Sequence, residues 1–312
     1  MLSKKMENDT RKKKIARVIK EHYLLYIFLL PAMIYIIIFS YVPMYGIQIA
    51  FKDYTIAKGF AGSPWAGFKW FKYFFSSKLF STIIQNTLYI NLYRLVAGFP
   101  VPIILAIMMN YVGNQKFKRT IQTVTYLPHF ISTVVIVGML SSFLSPRSDF
   151  INTFIQLFTG EPIYFFGKPE FFRHIYVWSG IWQGAGWGSI IYMAALTSVS
   201  PELHESAIID GANILQRIWH IDVATIMPTM VIMLILNCGS IMSIGFEKIY
   251  LMQNDINLEV SEVISTYTYK MGLLQQKFSY SSAIGLFNNV INFVLLTIVN
   301  YTSKKLSETS LW

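Results

Sequence analysis

Indole and amide side chains at helical spacing interrupt two otherwise apolar stretches of this sequence. Trp178 and Trp182 are four residues apart, so a helix places both rings on one face, with Gln183 beside them. The second stretch carries Asn288, Asn289 and Asn292. Aromatic rings and amides together suit a polyhydroxylated ligand, because rings pack on its C–H faces and amides bond its hydroxyls. Tryptophan is also common at membrane interfaces and in helix packing, so the asparagines are the better candidates.

Three charged residues, Arg94, Glu247 and Lys248, lie within or at the end of apolar runs. A charged side chain inside a membrane is costly and normally faces a cavity or a partner, so each is a candidate for lining a substrate path. Glu247 and Lys248 are adjacent, and a helix therefore points them about 100° apart, where they need not pair with each other. Pore lining and interface anchoring are both open for these two, and Arg94 can instead brace helix packing.

The composition places these residues in membrane-spanning helices. The chain has 312 residues, of which 54% are hydrophobic and 13% charged, whereas about a quarter of a soluble chain is charged. A soluble core cannot absorb so much apolar surface, so we predict an all-α membrane protein. Several apolar runs reach the roughly 20 residues that a spanning helix needs. The six predicted spans are about 23–45, 81–110, 120–143, 174–199, 228–252 and 281–301.

Basic residues orient the predicted bundle with both termini in the cytoplasm. The N-terminal tail, 1–22, carries Lys4, Lys5, Arg11, Lys12, Lys13, Lys14, Arg17 and Lys20. Such a tail stays in the cytoplasm, and six spans return the C-terminal tail, 304–312, to the same side. Lysines in the first outer loop fit the rule less well, so the orientation depends mainly on the tail. The net charge of +10 indicates attraction to anionic lipid, not to nucleic acid.

The sequence lacks the motifs of an enzyme or a metal protein. Cys238 is the single cysteine, which excludes a disulfide or a cysteine cluster within the chain. Neither Gly-x-x-x-x-Gly-Lys-Ser/Thr nor His-Glu-x-x-His occurs, and no acid, base and nucleophile converge. We therefore expect neither an enzyme activity nor a cofactor in this chain. An ion-coupled secondary transporter of a polar solute is the alternative. Such a transporter predicts inverted repeats and acidic residues near mid-membrane, whereas no repeat is evident here and the acidic residues lie mostly in loops or near span ends.

The predicted cytoplasmic loop 200–227, between the fourth and fifth spans, has clear helix-boundary signals. Ser200 can cap a helix, Pro201 suits its first position, and Gly211 can end it in a left-handed conformation. Apolar residues recur at helical spacing in this helix and again in 214–221. We predict two short amphipathic helices joined at a glycine, which form a rigid knuckle on the cytoplasmic face.

This loop resembles the EAA loop of permease subunits in binding-protein-dependent ABC importers. The family pattern is Glu-Ala-Ala, three residues, Gly, nine residues and then Ile-x-Leu-Pro. The residues in register are Glu205, Ala207, Gly211 and Ile221. Ser206 replaces the first alanine, and Val223 and Ala224 stand where Leu and Pro are usual, which leaves the return into the fifth span open. The resemblance implies that the first short helix docks on an ATPase through Glu205, Ala207, Asp210, Gly211 and Ala212.

The resemblance covers about 23–312 and is closest to the sugar-importing branch, including maltose- and alginate-type permeases. Further matching segments are Asn86-Thr87-Leu88, Tyr126-Leu127-Pro128, 245–251 and 308–312. It implies a type I importer permease fold in a bacterial cell membrane and a translocation path for an oligosaccharide or polysaccharide fragment. It also implies three kinds of partner: a second homologous permease subunit, a pair of ATPases that bind ATP and Mg²⁺, and an extracytoplasmic sugar-binding protein.

Overall fold

The computed structural model describes residues 20–146, 152–153, 155–156, 160–307 and 310–311. Most of the predicted basic tail, 1–19, lies outside these ranges, as do 308, 309 and 312 of the predicted C-terminal tail. Within the described ranges the regular structure is helical, apart from a single β-bridge between Lys52 and Trp65. The all-α prediction is therefore confirmed for this part of the chain.

The helices follow the apolar runs of the sequence. In chain order they are α1 (Tyr23–Phe51), α2 (Lys69–Phe75), α3 (Phe80–Asn110), α4 (Gln115–Phe130), α5 (Thr133–Phe143), α6 (Pro169–Leu196), α7 (Pro201–Ile209), α8 (Ile214–Gly239), α9 (Phe246–Met252), α10 (Ile264–Tyr269) and α11 (Phe278–Ser307). Single helical turns lie between some of them, and α11 extends into the predicted C-terminal tail.

Within the described residues, four helices are long and apolar enough to cross a membrane: α1, α3, α8 and α11. The bent pair α4 and α5 brings the number to five if it counts as one span. The 28 residues of α6 are long enough too, but glycine, serine, tryptophan and glutamine lower its hydropathy. Because α6 packs against α3, α4 and α8, some of these less apolar residues contact neighbouring helices and others lie on the surface.

The third predicted span, 120–143, is not one straight helix. Its two halves, α4 and α5, meet at an angle of 97°. Ile131 adopts an extended conformation after Pro128, and the Ser132 side chain then accepts a hydrogen bond from the Val135 N–H and caps α5. Gln183 of α6 donates to the Ile131 carbonyl at 3.1 Å, which satisfies a backbone group that the break exposes.

The fifth predicted span, 228–252, has different bounds in the structure. The helix begins at Ile214 in the predicted cytoplasmic loop and ends at Gly239, and residues 246–252 form the separate helix α9. Reciprocal hydrogen bonds between Asn213 and Gln216 cap the start of α8, and a π-helical turn, Ile218–Val223, continues it without a break. The predicted second loop helix is thus the first part of α8.

Buried side chains hold these helices together in three clusters within the described part of the chain. The first cluster joins α3, α5, α6 and α9, the second joins α2, α3, α10 and α11, and the third joins α3, α6 and α8. By contrast, α1 has no buried residue between Tyr23 and Ile36. Representative members of the clusters are Phe172, Val177 and Ile249; Phe74, Ile83 and Tyr280; and Ile103, Tyr192 and Ile226.

Candidate functional site

A cavity of about 430 Å³ lies among α3, α6, α8 and α9. Gly180, Gly184 and Gly188 of α6 form part of its wall, and their spacing of four places them on one helical face. Without side chains at these three positions, α6 leaves room between itself and the neighbouring helices. The polar lining residues are Asn91, Arg94, Tyr176, Gln183, Tyr192, Asn237 and Lys248. The cavity volume falls within the range of small-molecule binding sites.

The cavity is positively charged. Arg94 of α3 and Lys248 of α9 both line it, and none of its lining residues in the described part of the chain carries a carboxylate. Nζ of Lys248 donates to the Tyr176 carbonyl at 3.1 Å and lies 5.1 Å from the centre of the Tyr176 ring. These contacts hold the ammonium against α6 without neutralising its charge. The pair of cations therefore suits an anionic ligand.

Only some of the predicted path residues meet at this cavity. Gln183 and Lys248 line it. Glu247, the residue before Lys248, is exposed, as the offset of about 100° between adjacent helical residues predicts. Trp178 and Trp182 are each 52% exposed, and Nε1 of Trp178 donates to the Tyr93 hydroxyl at 2.8 Å. The tryptophans thus lie on an exposed face of α6 and do not line the cavity. Their contact with a ligand stays a prediction.

The three asparagines of α11 do not line this cavity in the structure. Asn289 is exposed, and Oδ1 of Asn288 is buried without a hydrogen-bond partner among the described residues. Asn292 joins α11 to the segment after α8: its Oδ1 accepts the Met242 N–H at 3.0 Å, and its Nδ2 donates to the Ser243 hydroxyl at 2.8 Å. The path role of these residues stays a prediction, and Asn292 has a structural task as well.

Asn292→Ala is expected to destabilise the segment between α8 and α9. The Met242 N–H is left without its acceptor, which costs about 1–3 kcal/mol for a buried group. The thermal unfolding midpoint of the purified importer complex measures this loss. Asn289→Ala, on the exposed neighbouring position, is the control and should change stability by less than about 0.5 kcal/mol. Equal midpoints for the two variants would contradict the structural role of Asn292.

Several cavity residues were not singled out from the sequence. They are Asn91, Tyr176, Tyr192 and Asn237. Oδ1 of Asn91 is buried without a hydrogen-bond partner in the described part of the chain, so it is available to a ligand hydroxyl. The glycines at spacings of four in α6 were the available signal, because a run of glycines on one helical face marks either close helix packing or a cavity wall.

The predicted coupling residues come together in one surface knuckle. Helix α7 ends in a Schellman motif, in which the Ala212 N–H donates to the Ala207 carbonyl and the Gly211 N–H to the Ile208 carbonyl. Gly211 has φ +81°, as its predicted left-handed conformation requires. Ser200 occupies the N-cap position with an extended backbone, as predicted, although its side chain makes no hydrogen bond to the helix. A depression of about 310 Å³ beside the knuckle is lined by Ala207, Asp210, Gly211, Ala212, Gln216, Arg217, His220 and Ile221.

The knuckle presents apolar side chains to its surroundings. Ile209 is 85% exposed, and Leu203 and Ile208 are about half exposed. Glu205 is exposed on the same helix. The departure from the family pattern at Val223 and Ala224 lies within the continuous helix α8, so it does not alter the knuckle itself. Exposed apolar residues beside charged ones are typical of a protein docking surface.

Comparisons with known proteins identify the family. Residues 98–308 match the family described as "Binding-protein-dependent transport system inner membrane component". The chain is 42% identical to the protein LplB of Bacillus subtilis, over 92% of this chain and 91% of LplB. It is 41% identical to the polygalacturonan/rhamnogalacturonan transport system permease protein YteP of the same species, over 98% and 95% of the two chains.

Solved structures agree with this assignment. A chain of a bacterial ABC transporter involved in the import of the acidic polysaccharide alginate superposes with a TM-score of 0.87 at 39% identity, over 94% of this chain and 99% of that one. The alginate transporter in complex with a pentasaccharide-bound periplasmic protein matches equally well, with a TM-score of 0.87 at 39% identity over 95% and 99%. The protein therefore belongs to the family of binding-protein-dependent transport system inner membrane components and is a permease subunit of a bacterial ABC sugar importer.

Proposed function

We propose that the cavity among α3, α6, α8 and α9 is this subunit's part of the translocation path and that it carries an acidic oligosaccharide. The charge of the cavity is the observation that carries the proposal: Arg94 and Lys248 line it, and no carboxylate among its described lining residues balances them. The names of the similar proteins support an acidic substrate, since one names polygalacturonan and another the acidic polysaccharide alginate.

The cavity has groups for each part of such a substrate. The Arg94 guanidinium can bond a carboxylate in a bidentate manner, and the Lys248 ammonium adds a point charge. Amides of Asn91, Gln183 and Asn237 suit hydroxyls, and the Tyr176 and Tyr192 rings offer apolar faces.

The remaining parts of the proposal concern topology and partners. We propose six membrane crossings, with α6 and the bent pair α4 and α5 completing the set, and both termini in the cytoplasm. On this topology α7 faces the cytoplasm and docks on one of a pair of ATPases, which bind ATP and Mg²⁺. A second homologous permease subunit closes the cavity, and an extracytoplasmic sugar-binding protein delivers the substrate. Membership of the permease family supports these partners and disfavours an ion-coupled secondary transporter.

Charge removal at Arg94 tests the proposed path. Arg94→Gln is expected to reduce the uptake of an oligogalacturonate about three- to tenfold, since one of the two cations that face the carboxylates is lost. Initial uptake rates are measured in liposomes that contain the complete importer, with ATP and the binding protein supplied. Lys248→Gln should act in the same direction.

Arg94→Lys is the matched control, because it keeps a positive charge at the same place. It should retain most of the uptake of the acidic substrate, while binding-protein-stimulated ATP hydrolysis reports that each complex is assembled. Equal loss in Arg94→Lys and Arg94→Gln would show that the side chain braces the helices instead, and unchanged uptake in Arg94→Gln would remove the proposed path.

A further inference from the structure

A buried carboxylate lies directly behind the exposed knuckle. Asp222, in the π-helical turn of α8, is 0% exposed. Its Oδ2 accepts a hydrogen bond of 2.8 Å from the hydroxyl of Tyr111, which follows the last residue of α3. Its Oδ1 lies 3.3 Å from Nε2 of His204 in α7. One side chain of α8 thus contacts both α7 and the residue that follows α3.

The buried Asp222 carboxylate needs polar neighbours that compensate its charge. A buried carboxylate is strongly unfavourable unless hydrogen bonds or a positive charge compensate it. Tyr111 supplies a full hydrogen bond, whereas Oδ1 makes none, because the His204 ring is close to it without being aligned. A small shift of α7 would either complete that bond or withdraw the His204 ring from Oδ1. The position of α7 is therefore sensitive to this contact.

The other groups around Asp222 reinforce the same arrangement. Burial, followed by the hydrogen bond to Asp222, raises the pKa of Tyr111 to about 12, so its hydroxyl keeps the proton that it donates. The nearby positive charge of Arg217 opposes this rise. The rings of Tyr111 and His204 meet edge to face, with their centres 6.2 Å apart. These contacts attach the middle of α7 to α8 and to the end of α3.

The two membrane helices in this arrangement are among the four that line the cavity. Arg94 lies on α3, which ends just before Tyr111. Asn237 lies on α8, roughly 22 Å from Asp222 at 1.5 Å per residue. A displacement at the cytoplasmic ends of α3 and α8 is transmitted along rigid helices to the cavity wall.

We propose that Asp222, Tyr111 and His204 form a clasp that makes α7 move as one body with the cytoplasmic ends of α3 and α8. This inference rests on the proposed docking of α7 on the ATPase. Through the clasp, movement of the ATPase reaches α3 and α8, two of the four helices that line the cavity. The three residues are positioning residues: they contact neither substrate nor nucleotide.

The test replaces the carboxylate in the complete importer. Asp222→Asn keeps the shape of the side chain but removes the charge that His204 faces, so α7 and α8 should no longer move together. The number of substrate molecules transported per ATP hydrolysed is expected to fall about tenfold, within the usual range for coupling between sites. The ratio is measured in liposomes and normalised to assembled complex, and loss of assembly alone does not alter it.

Two further variants separate the clasp from a general packing defect. Thr225→Val is the matched control, because the Thr225 hydroxyl donates only within its own helix, to the Ile221 carbonyl, and its transport ratio should equal that of the unsubstituted protein. His204→Gln should reduce the ratio, and the double variant with Asp222→Asn should be scarcely worse than either single variant, since both remove one contact.

The direct structural readout is hydrogen exchange of the α7 amides in the assembled complex, which should be faster in Asp222→Asn. An unchanged transport ratio in Asp222→Asn, with the ATPase still bound, would overturn the clasp while leaving the docking proposal intact. If Asp222→Asn does not assemble, Tyr111→Phe decides, because it keeps the buried carboxylate and removes its hydrogen bond. An unchanged ratio in that variant would likewise overturn the clasp.

Discussion

Replacing Gly211 by valine is expected to abolish association with the ATPase and to reduce uptake more than tenfold. Gly211 has φ +81°, a conformation that a β-branched residue adopts only under strain. A Cβ atom there would meet no heavy atom within 4 Å, so the expected effect comes from the backbone and not from a clash. The Schellman motif would open, and Ala212 would lose its bond to the Ala207 carbonyl. Pull-down of the ATPase and uptake in cells measure the two losses.

Gly211→Asn distinguishes backbone conformation from the mere presence of a side chain. Asparagine enters the left-handed region more easily than other residues, so this variant should keep a large part of both association and uptake. If valine at position 211 leaves association and uptake unchanged, α7 is not the docking element, whatever the outcome for Asp222. If asparagine is as harmful as valine, the ATPase contacts the glycine surface itself.

Gly186→Ala is expected to produce the largest loss of stability. The helices α6 and α4 touch at this position, and a Cβ on Gly186 would lie 2.0 Å from the carbonyl oxygen of Thr125 and 2.4 Å from its carbonyl carbon. These are backbone atoms, so a whole helix must move to admit one methyl group. Overpacking of this kind costs about 3 kcal/mol. The apparent unfolding temperature of the purified complex should fall by roughly 5–10 °C.

Gly184→Ala is the control on the same helix. A Cβ on Gly184 would meet nothing within 4 Å, because that position faces the cavity. Its unfolding temperature should stay the same or rise slightly, since alanine favours the helix more than glycine does. Similar losses in both variants would mean that α6 does not approach α4 as closely as the structure has it.

These two glycines illustrate how α6 is used. Its sequence is too rich in small and polar residues to rank with the most apolar helices, yet it lies against α3, α4 and α8. One glycine permits the close approach to Thr125, and its neighbour one half-turn away leaves the cavity open. The low hydropathy of α6 is thus a consequence of its central position.

The sequence by itself determined the class of the protein and the local structure of the knuckle. Apolar runs of sufficient length predict membrane spans independently of the rest of the chain. These spans must be helical, because lipid offers no hydrogen-bond partner to an unpaired backbone group. The left-handed conformation of Gly211 was likewise predictable, since helix termination depends on a few consecutive residues. The register of Glu205 and Gly211 with the EAA pattern was enough to indicate the permease family, which the comparisons confirm.

Only the tertiary structure decided where the spans break and which polar side chains meet. Asn292, a residue of another helix, bonds the segment that follows the end of α8, and Gln183 bonds a backbone carbonyl at the break between α4 and α5. The partners of Asp222 could not be predicted either, because Tyr111 and His204 reach it through folding and not through neighbouring positions. Spacing along one helix tells which of its residues share a face. It does not tell which helix that face meets, because that depends on how all the helices pack together.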